Sequence, residues 1–320
     1  MVMLQSDGFQ RKIIMKKYDL IGDVHGHAND LSALLIKLDY RLEGGGYCHP
    51  ERKVIFLGDF IDRGVNQKAV LDIVMPMVKQ GKALAVMGNH EFNALAFHTE
   101  DPGNPGEWLR PRNNKNLNQH LAFLSDYASP KKEEKLSEVL DFFMSLPVFL
   151  EVDGIRVVHA CWHKPSIQTL QGSLGPNNTL TPELLVSASR KGRVEYEAIE
   201  TLLKGVEKKL PNGAYFFDKD GTRREEVRIR WWLEKANSLG ELAFGHFEES
   251  VAQQAVLPEQ LMGYDASEPP VFMGHYWLQG KPEPQADNVV CLDYSVAKGG
   301  CLAAYRWDGE QNLSSDKFIY

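Results

Sequence analysis

The first third of the chain alternates between two hydrophobic patterns. Short apolar runs at residues 18–21, 53–57 and 83–87 have the length and composition of buried strands. Between these runs, around residues 31–38 and 70–77, apolar side chains recur every three or four positions, which predicts amphipathic helices. Strands that alternate with helices at this spacing favour an α/β architecture in which helices cover a sheet.

The pattern continues in the second half of the chain. A predicted helix at about residues 131–145 is followed by two strand patterns, residues 148–152 and 155–159, which the turn sequence Asp153-Gly154 joins into a hairpin. Further apolar runs predict later strands at residues 271–273, 289–293 and 302–307.

Two segments interrupt this alternation. Residues 101–118 are rich in Pro, Gly and Asn and predict a long surface loop. Residues 164–267 are more charged and helical around residues 195–208, and we interpret them as an insertion or cap. We expect residues 15–320 to form the folded domain and residues 1–14 to be a disordered N-terminal extension.

The overall composition limits the classes of function. With 320 residues, 43% of them hydrophobic, the chain can fill one large α/β domain with an insertion or two smaller domains. A formal net charge of -7 argues against nucleic acid as the main partner, because nucleic-acid binders usually carry a basic excess.

The cysteines and the apolar runs indicate the cellular compartment. The four cysteines form no C-x-x-C pair, and their wide spacing is typical of reduced thiols. No apolar run suits a signal peptide or a membrane span, so we expect a cytoplasmic protein without a membrane partner.

Three polar motifs follow the three early strands. They are Gly22-Asp23-Val24-His25-Gly26, Gly58-Asp59-Phe60-Ile61-Asp62-Arg63-Gly64 and Gly88-Asn89-His90-Glu91. Because open α/β sheets gather ligands at the carboxyl ends of their strands, we expect the three loops to meet at one site. Taken alone, the first motif could be a turn with a capping Asp, and the third could be a helix cap. Their occurrence in series at three strand ends favours a metal site.

The polar side chains of these loops suit a cage for two metal ions. Asp23 and His25 project to one side of an extended backbone, and the Asp59 carboxylate can bridge two ions. Mixed carboxylate, amide and imidazole ligands suit manganese, iron or zinc better than calcium. We expect two divalent metal ions as cofactors, held by six ligands: Asp23, His25, Asp59, Asn89, His159 and His275.

The two late histidines have alternatives. His159 could be a core histidine with its hydrogen bonds satisfied. His246 competes with His275, because both follow an apolar run and a glycine. We prefer His275, since residues 271–273 form a strand pattern and further strands follow, and His246 stays open.

Three motif residues are not needed to hold metal. His90 is placed to be the general acid for a leaving oxygen, and Asp62 can hold its tautomer. Arg63 offers a two-pronged donor for phosphate oxygens, although Asp62 and Arg63 could also be a surface ion pair. We assign substrate binding to Arg63 and Asn89.

The predicted metal ions themselves can generate the nucleophile. Two metal ions about 3.5–4 Å apart can acidify a bridging water and clamp a phosphoryl group. We therefore predict attack by a metal-bridging hydroxide, with His90, Asp62 and Arg63 as catalytic residues.

The series GDxHG, GDxxDRG and GNHE, followed by two late histidines, resembles the calcineurin-like metallophosphoesterases, in particular their phosphoprotein-phosphatase branch. This resemblance implies an α/β fold in which helices flank a β-sandwich, here with a largely helical insertion. It also implies that the ligands divide into a first set, Asp23, His25 and Asp59, and a second set, Asp59, Asn89, His159 and His275.

The later part of the chain differs from eukaryotic protein phosphatases. Ala160-Cys161-Trp162 follow His159, where those enzymes usually have Gly-Gly. Gly274-His275-Tyr276-Trp277 and Leu292-Asp293-Tyr294-Ser295 are more similar to bacterial members of the family. These include serine/threonine/tyrosine protein phosphatases and diadenosine tetraphosphate hydrolases, so the substrate stays open.

Our leading hypothesis is a metal-dependent phosphatase that hydrolyses phosphate monoesters, with a phosphoprotein or a small phosphoester as substrate. The alternative with the same chemistry is a dinucleoside polyphosphate hydrolase of the diadenosine tetraphosphate type. A non-catalytic metal-binding module is weaker, because it gives His90, Asp62 and Arg63 no role. A nuclease is weaker because the chain lacks an evident basic stripe.

Overall fold

The computed structural model describes residues 16–127, 132–210, 213–217, 223–245 and 249–320. The predicted disordered extension, residues 1–14, lies outside the described residues. His246, the alternative last ligand, also lies outside them.

Strands and helices alternate over the first hundred residues, as predicted. The first two long helices bury the apolar side that their spacing indicated, for example Leu31 and Leu35 in one and Val70 and Val74 in the other. In chain order the elements are β1 (Lys17–Ile21), α1 (Ala28–Lys37), β2 (Arg41–Glu43), β3 (Gly46–Cys48), β4 (Arg52–Phe56), α2 (Gln67–Lys79), β5 (Ala83–Ala85) and α3 (Asn89–His98).

The middle of the chain contains the predicted helix and hairpin, followed by a more helical region. Its elements are α4 (Asn114–Tyr127), α5 (Glu133–Met144), β6 (Phe149–Val152), β7 (Ile155–Val158), α6 (Lys164–Leu170), α7 (Pro182–Ala188), α8 (Val194–Lys204), β8 (Glu207–Lys209), β9 (Phe216–Phe217), β10 (Arg223–Arg224), β11 (Glu226–Arg228), α9 (Leu239–Leu242) and α10 (Glu249–Ala252). The predicted loop at residues 101–118 is wrong at its end, because α4 begins at Asn114. Asn113 makes this start possible, since its side-chain oxygen accepts the N–H of Asn116 at 2.9 Å.

The last fifty residues return to strands. They are β12 (Val271–Met273), β13 (Val289–Cys291), β14 (Asp293–Tyr294), β15 (Cys301–Leu302), β16 (Ala304–Trp307) and β17 (Phe318–Ile319). This confirms the strands predicted at residues 271–273, 289–293 and 302–307, with a break at Leu292 in the second and at Ala303 in the third.

Two packed sheets form the centre of the fold. One has the order β17-β16-β1-β4-β5 and the other the order β13-β12-β7-β6. Leu20 and Ile55 of the first sheet share a buried cluster with Val157 and Phe272 of the second. The neighbouring Ile21 points the opposite way, into the cluster formed with the helices, because side chains alternate along a strand. The predicted β-sandwich flanked by helices is confirmed.

Parallel pairing brings the strand ends to one edge of the sandwich. Ile21 pairs with Phe56, and Phe56 pairs with Ala85, so β1, β4 and β5 end at one level. In the second sheet, the N–H of Gly274 donates to the carbonyl of His159 at 2.8 Å, which places the ends of β7 and β12 side by side. All five loops that carry predicted ligands therefore leave the strands at the same edge.

The described residues of the segment 164–267 pack against the rest of the domain. Trp231 is fully buried, and its indole N–H donates to the carbonyl of Ala160 at 3.0 Å. Trp231 and Trp232 belong to the same buried cluster as Leu202 and Val158. The segment thus covers the region just beyond β7. Its interpretation as an insertion or cap stays a prediction.

None of the helices in the described part of the chain combines the length and the apolar run that a bilayer crossing requires. The cytoplasmic location stays a prediction.

Candidate metal centre

The six predicted ligands are all buried at the shared edge of the sandwich. Asp23 and His25 follow β1, Asp59 follows β4, and Asn89 begins α3. His159 and His275 follow β7 and β12. Loops from five strand ends therefore deliver the side chains, as the sequence pattern predicts.

The Asp59 carboxylate lies at the centre of this group. Its Oδ2 atom is 3.6 Å from Nε2 of His25 and 3.3 Å from Nε2 of His159. Two clusters of potential ligand atoms share this carboxylate, namely His25-Asp59-His90 and Asp59-His159-His275, each with its atoms within 4.8 Å of one another. Both clusters thus depend on Asp59, and its predicted role as a bridge between two ions stays a prediction.

Two buried ring nitrogens at the site have no hydrogen-bond partner among the residues that the structure describes. They are Nε2 of His25 and Nε2 of His275. Nδ1 of His25 donates to the carbonyl of Ile61 at 3.0 Å, which leaves a lone pair on Nε2. Buried polar atoms without partners are costly, so these two nitrogens fit divalent ions as their missing partners.

Asn89 and His159 face each other on one side of the site. The side-chain oxygen of Asn89 is 3.1 Å from Nε2 of His159. Nδ1 of His159 donates to the carbonyl of Leu57 at 2.7 Å, so its Nε2 points at the cluster. This is the usual arrangement of a metal-binding histidine, whose second nitrogen is fixed by a backbone carbonyl.

Asp23 joins the site through the backbone of the last loop. The N–H of His275 donates to Oδ2 of Asp23 at 3.1 Å. Burial, with the charge of the neighbouring Asp293, raises the pKa of the Asp23 carboxyl well above its usual value. Asp23 does not belong to either of the two ligand clusters found among the described residues, and His90 joins His25 and Asp59 in the first. The assignment of ligands to two sets stays a prediction.

The loops hold strained backbone at the site. His25, Asp59, Asp62, Arg63 and His275 all have φ between 44° and 71°, a conformation that non-glycine residues rarely adopt. Such strain persists where the surroundings fix the chain, and it is concentrated at functional sites.

Glu91 supplies part of this constraint, and the sequence analysis gave it no role. One carboxylate oxygen of Glu91 accepts the N–H of Asp59 at 2.8 Å and that of Gly88 at 2.9 Å. The other accepts the N–H of Phe60 at 2.8 Å. The side chain is fully buried and ties the loop after β4 to the start of α3. Its position at the end of the GNHE motif is the only sequence signal for this role.

His90 and Asp62 form the predicted pair. Nδ1 of His90 lies 2.6 Å from Oδ2 of Asp62, and its Nε2 lies 3.9 Å from Oδ2 of Asp59. The second nitrogen therefore faces the ligand cluster. Burial opposes charge on the ring, but Asp59 and Asp62 outweigh it and raise the pKa of His90.

A second histidine, which the sequence analysis missed, contacts the same carboxylate. Nδ1 of His120 lies 2.8 Å from Oδ1 of Asp62. His120 lies on α4, fifty-eight positions after Asp62, and belongs to no motif. Its helical spacing from Phe123 and Tyr127, which are buried on the same side of α4, is the only sequence signal that could have indicated it.

Cationic side chains surround an indole at the edge of the centre. The guanidinium carbon of Arg63 is 4.2 Å from the ring centroid of Trp277, and Nζ of Lys298 is 3.9 Å from it. The Trp277 and His25 rings are 5.9 Å apart. Arg63 and Lys298 are both exposed to solvent. We call Arg63, Trp277 and Lys298 the cationic rim.

Comparison with known proteins identifies the family. Residues 16–196 match the family model of calcineurin-like phosphoesterases. The chain belongs to this family. The resemblance seen in the motifs is thus confirmed, and this calcineurin-like phosphoesterase is a hydrolase of the metallophosphoesterase class. Members of the family use divalent metals, in agreement with the ligand clusters. The match also reaches residue 196, into the segment predicted to be an insertion.

The curated relatives share part of the sequence. The phosphoesterase is 30% identical over 150 residues to the bis(5′-nucleosyl)-tetraphosphatase PrpE (asymmetrical) of Oceanobacillus iheyensis, which covers 45% of this chain and 55% of the relative. It is 43% identical over 75 residues to the protein of the same name from Halalkalibacterium halodurans, covering 23% of this chain and 30% of the relative. The chain thus spans about half or less of the length of the curated relatives it matches.

One solved structure confirms the fold at low sequence identity. A cold-active protein tyrosine phosphatase superposes with a TM-score of 0.51 at 16% identity, covering 92% of this chain and 78% of that structure. At this identity the likeness concerns the fold alone.

Proposed function

We propose that this phosphoesterase hydrolyses a phosphoanhydride bond of a dinucleoside polyphosphate such as diadenosine tetraphosphate. This was the alternative in the sequence analysis, and the relatives support it better than the leading hypothesis of a protein phosphatase. The structural observation that carries it is the cationic rim. Arg63 and Lys298 both contact Trp277 beside His25, so a chain of several phosphates can engage two cations at once.

The predicted ligands could hold divalent ions at the two clusters that share Asp59. His25 and His275 offer buried nitrogens without partners, and Asp23, Asn89 and His159 complete the predicted set. Ions bound there would acidify water and neutralise charge on a phosphoryl group.

The chain's own residues supply the remaining steps. Water attacks one phosphorus atom and releases a proton to the solvent, while the bond from that phosphorus to the bridging oxygen breaks. His90 faces the cluster with Nε2 and can give a proton to the departing oxygen, while Asp62 holds the proton on Nδ1. Arg63 binds non-bridging oxygens through two parallel hydrogen bonds, and Lys298 neutralises the next phosphate.

The protein phosphatase hypothesis stays a prediction. The fold is shared with a protein tyrosine phosphatase, but no described contact favours a phosphopeptide. The buried Asp62–His90 pair supports catalysis over a purely metal-binding role, because neither residue belongs to the six predicted ligands.

Turnover of four substrates by manganese-loaded protein tests the proposal. They are diadenosine tetraphosphate, p-nitrophenyl phosphate, a phosphotyrosine peptide and a phosphoserine peptide. We expect kcat/KM to be at least about tenfold higher for the dinucleotide than for the other substrates, because one charge-assisted hydrogen bond can account for about that factor. Activity on the phosphopeptides alone would overturn the proposal.

Lys298→Ala tests the rim itself. We expect KM for the dinucleotide to rise about tenfold, with a smaller change for p-nitrophenyl phosphate. Lys53→Ala is the matched control, because this exposed lysine lies near the amino end of β4, away from the site. If the two substitutions changed KM for the dinucleotide equally, Lys298 would have no role in binding it.

A further inference from the structure

Asp62 receives two imidazole N–H groups, one on each carboxylate oxygen. His90 bonds Oδ2 at 2.6 Å and His120 bonds Oδ1 at 2.8 Å. The backbone N–H of Asp62 also donates to the side-chain oxygen of Gln67 at 3.0 Å. The Asp62 side chain is 5% exposed and that of His120 is 6% exposed, so water has little access to these bonds.

The ring of His120 packs against aromatic side chains of α3 and α4. It stacks on Phe123 at a centroid distance of 4.6 Å and an angle of 21°. Phe97 and His98 lie 5.2 Å and 5.6 Å away. Nε2 of His120 is buried without a hydrogen-bond partner among the described residues, so the bond to Asp62 is the polar contact that its ring makes there.

A carboxylate held by one donor can rotate about its terminal bond, because the χ2 angle of Asp is broad and roughly two-fold. A second donor on the other oxygen fixes the plane of the group. That plane sets the direction of the hydrogen bond to Nδ1 of His90, and so the direction in which Nε2 points. Displacing a catalytic group by about 1 Å can cost about 10²-fold in rate.

We infer that His120 is a positioning residue, which acts through Asp62 to hold His90 where it can protonate the leaving oxygen. The inference rests on the proposed phosphoanhydride hydrolysis and on His90 as its acid. His120 itself belongs to neither of the ligand clusters found among the described residues.

Dependence of the rate on the leaving group tests this role. Proton donation matters most for a basic leaving group, such as the phenolate of phenyl phosphate, and least for the acidic p-nitrophenolate. For His120→Ala we expect kcat for phenyl phosphate to fall about 10-fold to 100-fold and kcat for p-nitrophenyl phosphate to fall less than about 3-fold. Metal content should equal that of the wild type.

Two further variants keep the test decisive if His120→Ala folds poorly. The side-chain nitrogen of Asn can occupy the place of Nδ1, so His120→Asn should restore most of the phenyl phosphate rate. The longer Gln places its nitrogen near the position of Nε2, so His120→Gln should not. His98→Ala removes a neighbouring ring that does not bond Asp62, and it should leave the ratio of the two rates unchanged.

The outcomes separate the positioning role from the proposed function. An equal loss for both aryl esters in His120→Ala, or equal rates in His120→Asn and His120→Gln, would overturn the positioning role alone. A wild type that hydrolyses the aryl esters but not diadenosine tetraphosphate would overturn the proposed function alone. A wild type that hydrolyses neither the aryl esters nor diadenosine tetraphosphate would overturn both.

Discussion

The backbone N–H of His275 donates a hydrogen bond to the carboxylate of Asp23 at 3.1 Å. The two residues are 252 positions apart, so this bond joins the loop after the first strand to the loop after β12. Gly274 makes the contact possible, because a Cβ atom at this position would lie 1.9 Å from Oδ1 of Asp23. The last ligand loop can therefore approach the first only through a glycine.

Gly274→Ala should displace either Asp23 or His275 from the site. We expect metal content to fall to about half or less and kcat to fall at least about 10²-fold, since small displacements of catalytic groups are costly. Elemental analysis and turnover measure both. Gly172→Ala is the control, because its added Cβ meets no atom within 4 Å. Normal metal content in Gly274→Ala would contradict the account of this contact.

Asp59 should control both ions, because its carboxylate belongs to both ligand clusters. Added Mn²⁺ should raise the melting temperature of the wild type by several degrees, since a ligand that binds only the folded state stabilises it. Asp59→Asn should abolish that rise. Asp72→Asn, at an exposed position on α2, should keep it. A melting temperature that rises equally in Asp59→Asn and the wild type would place the ions elsewhere.

Asp62 should contribute stability that depends on pH. Burial opposes its charge, but hydrogen bonds from His120 and His90 lower its pKa to about 2. An unfolded Asp has a pKa of about 3.9. The folded pKa is the lower one, so the contribution is fully present above about pH 4 and is lost as the pH falls toward 2.

Urea unfolding of the wild type and Asp62→Asn between pH 2 and 5 measures this contribution. The difference in the free energy of unfolding should grow with pH by on the order of 2 kcal/mol and level off above about pH 4. Parallel stability curves for the two proteins would contradict the low pKa of Asp62.

The positions of the motif side chains could be predicted from the sequence for a local reason. Asp23, Asp59 and Asn89 each come soon after an apolar run, and parallel strands end together, so position along the chain fixes position at the edge of the sheet. The β-sandwich itself was predicted only from the family resemblance. The pattern of apolar residues within β1 and β4 does not show that a second sheet packs against the first.

The supporting contacts could not be predicted in this way. The bond between His120 and Asp62 depends on how α4 packs beside α3, and no short motif records that packing. The start of α4 was also misjudged, because a segment rich in Asn was interpreted as a loop although Asn113 favours a helix start. Lys298 belongs to the rim only because the loop after β14 folds back over Trp277.

Hydrolysis of diadenosine tetraphosphate during stepwise return of Mn²⁺ to chelator-treated protein is the most direct test of a dinuclear phosphoanhydride hydrolase. We predict no turnover in the stripped protein and a rate that rises until about two ions are bound per chain. Full turnover in the stripped protein, or an intact dinucleotide after two ions have bound, would contradict the account.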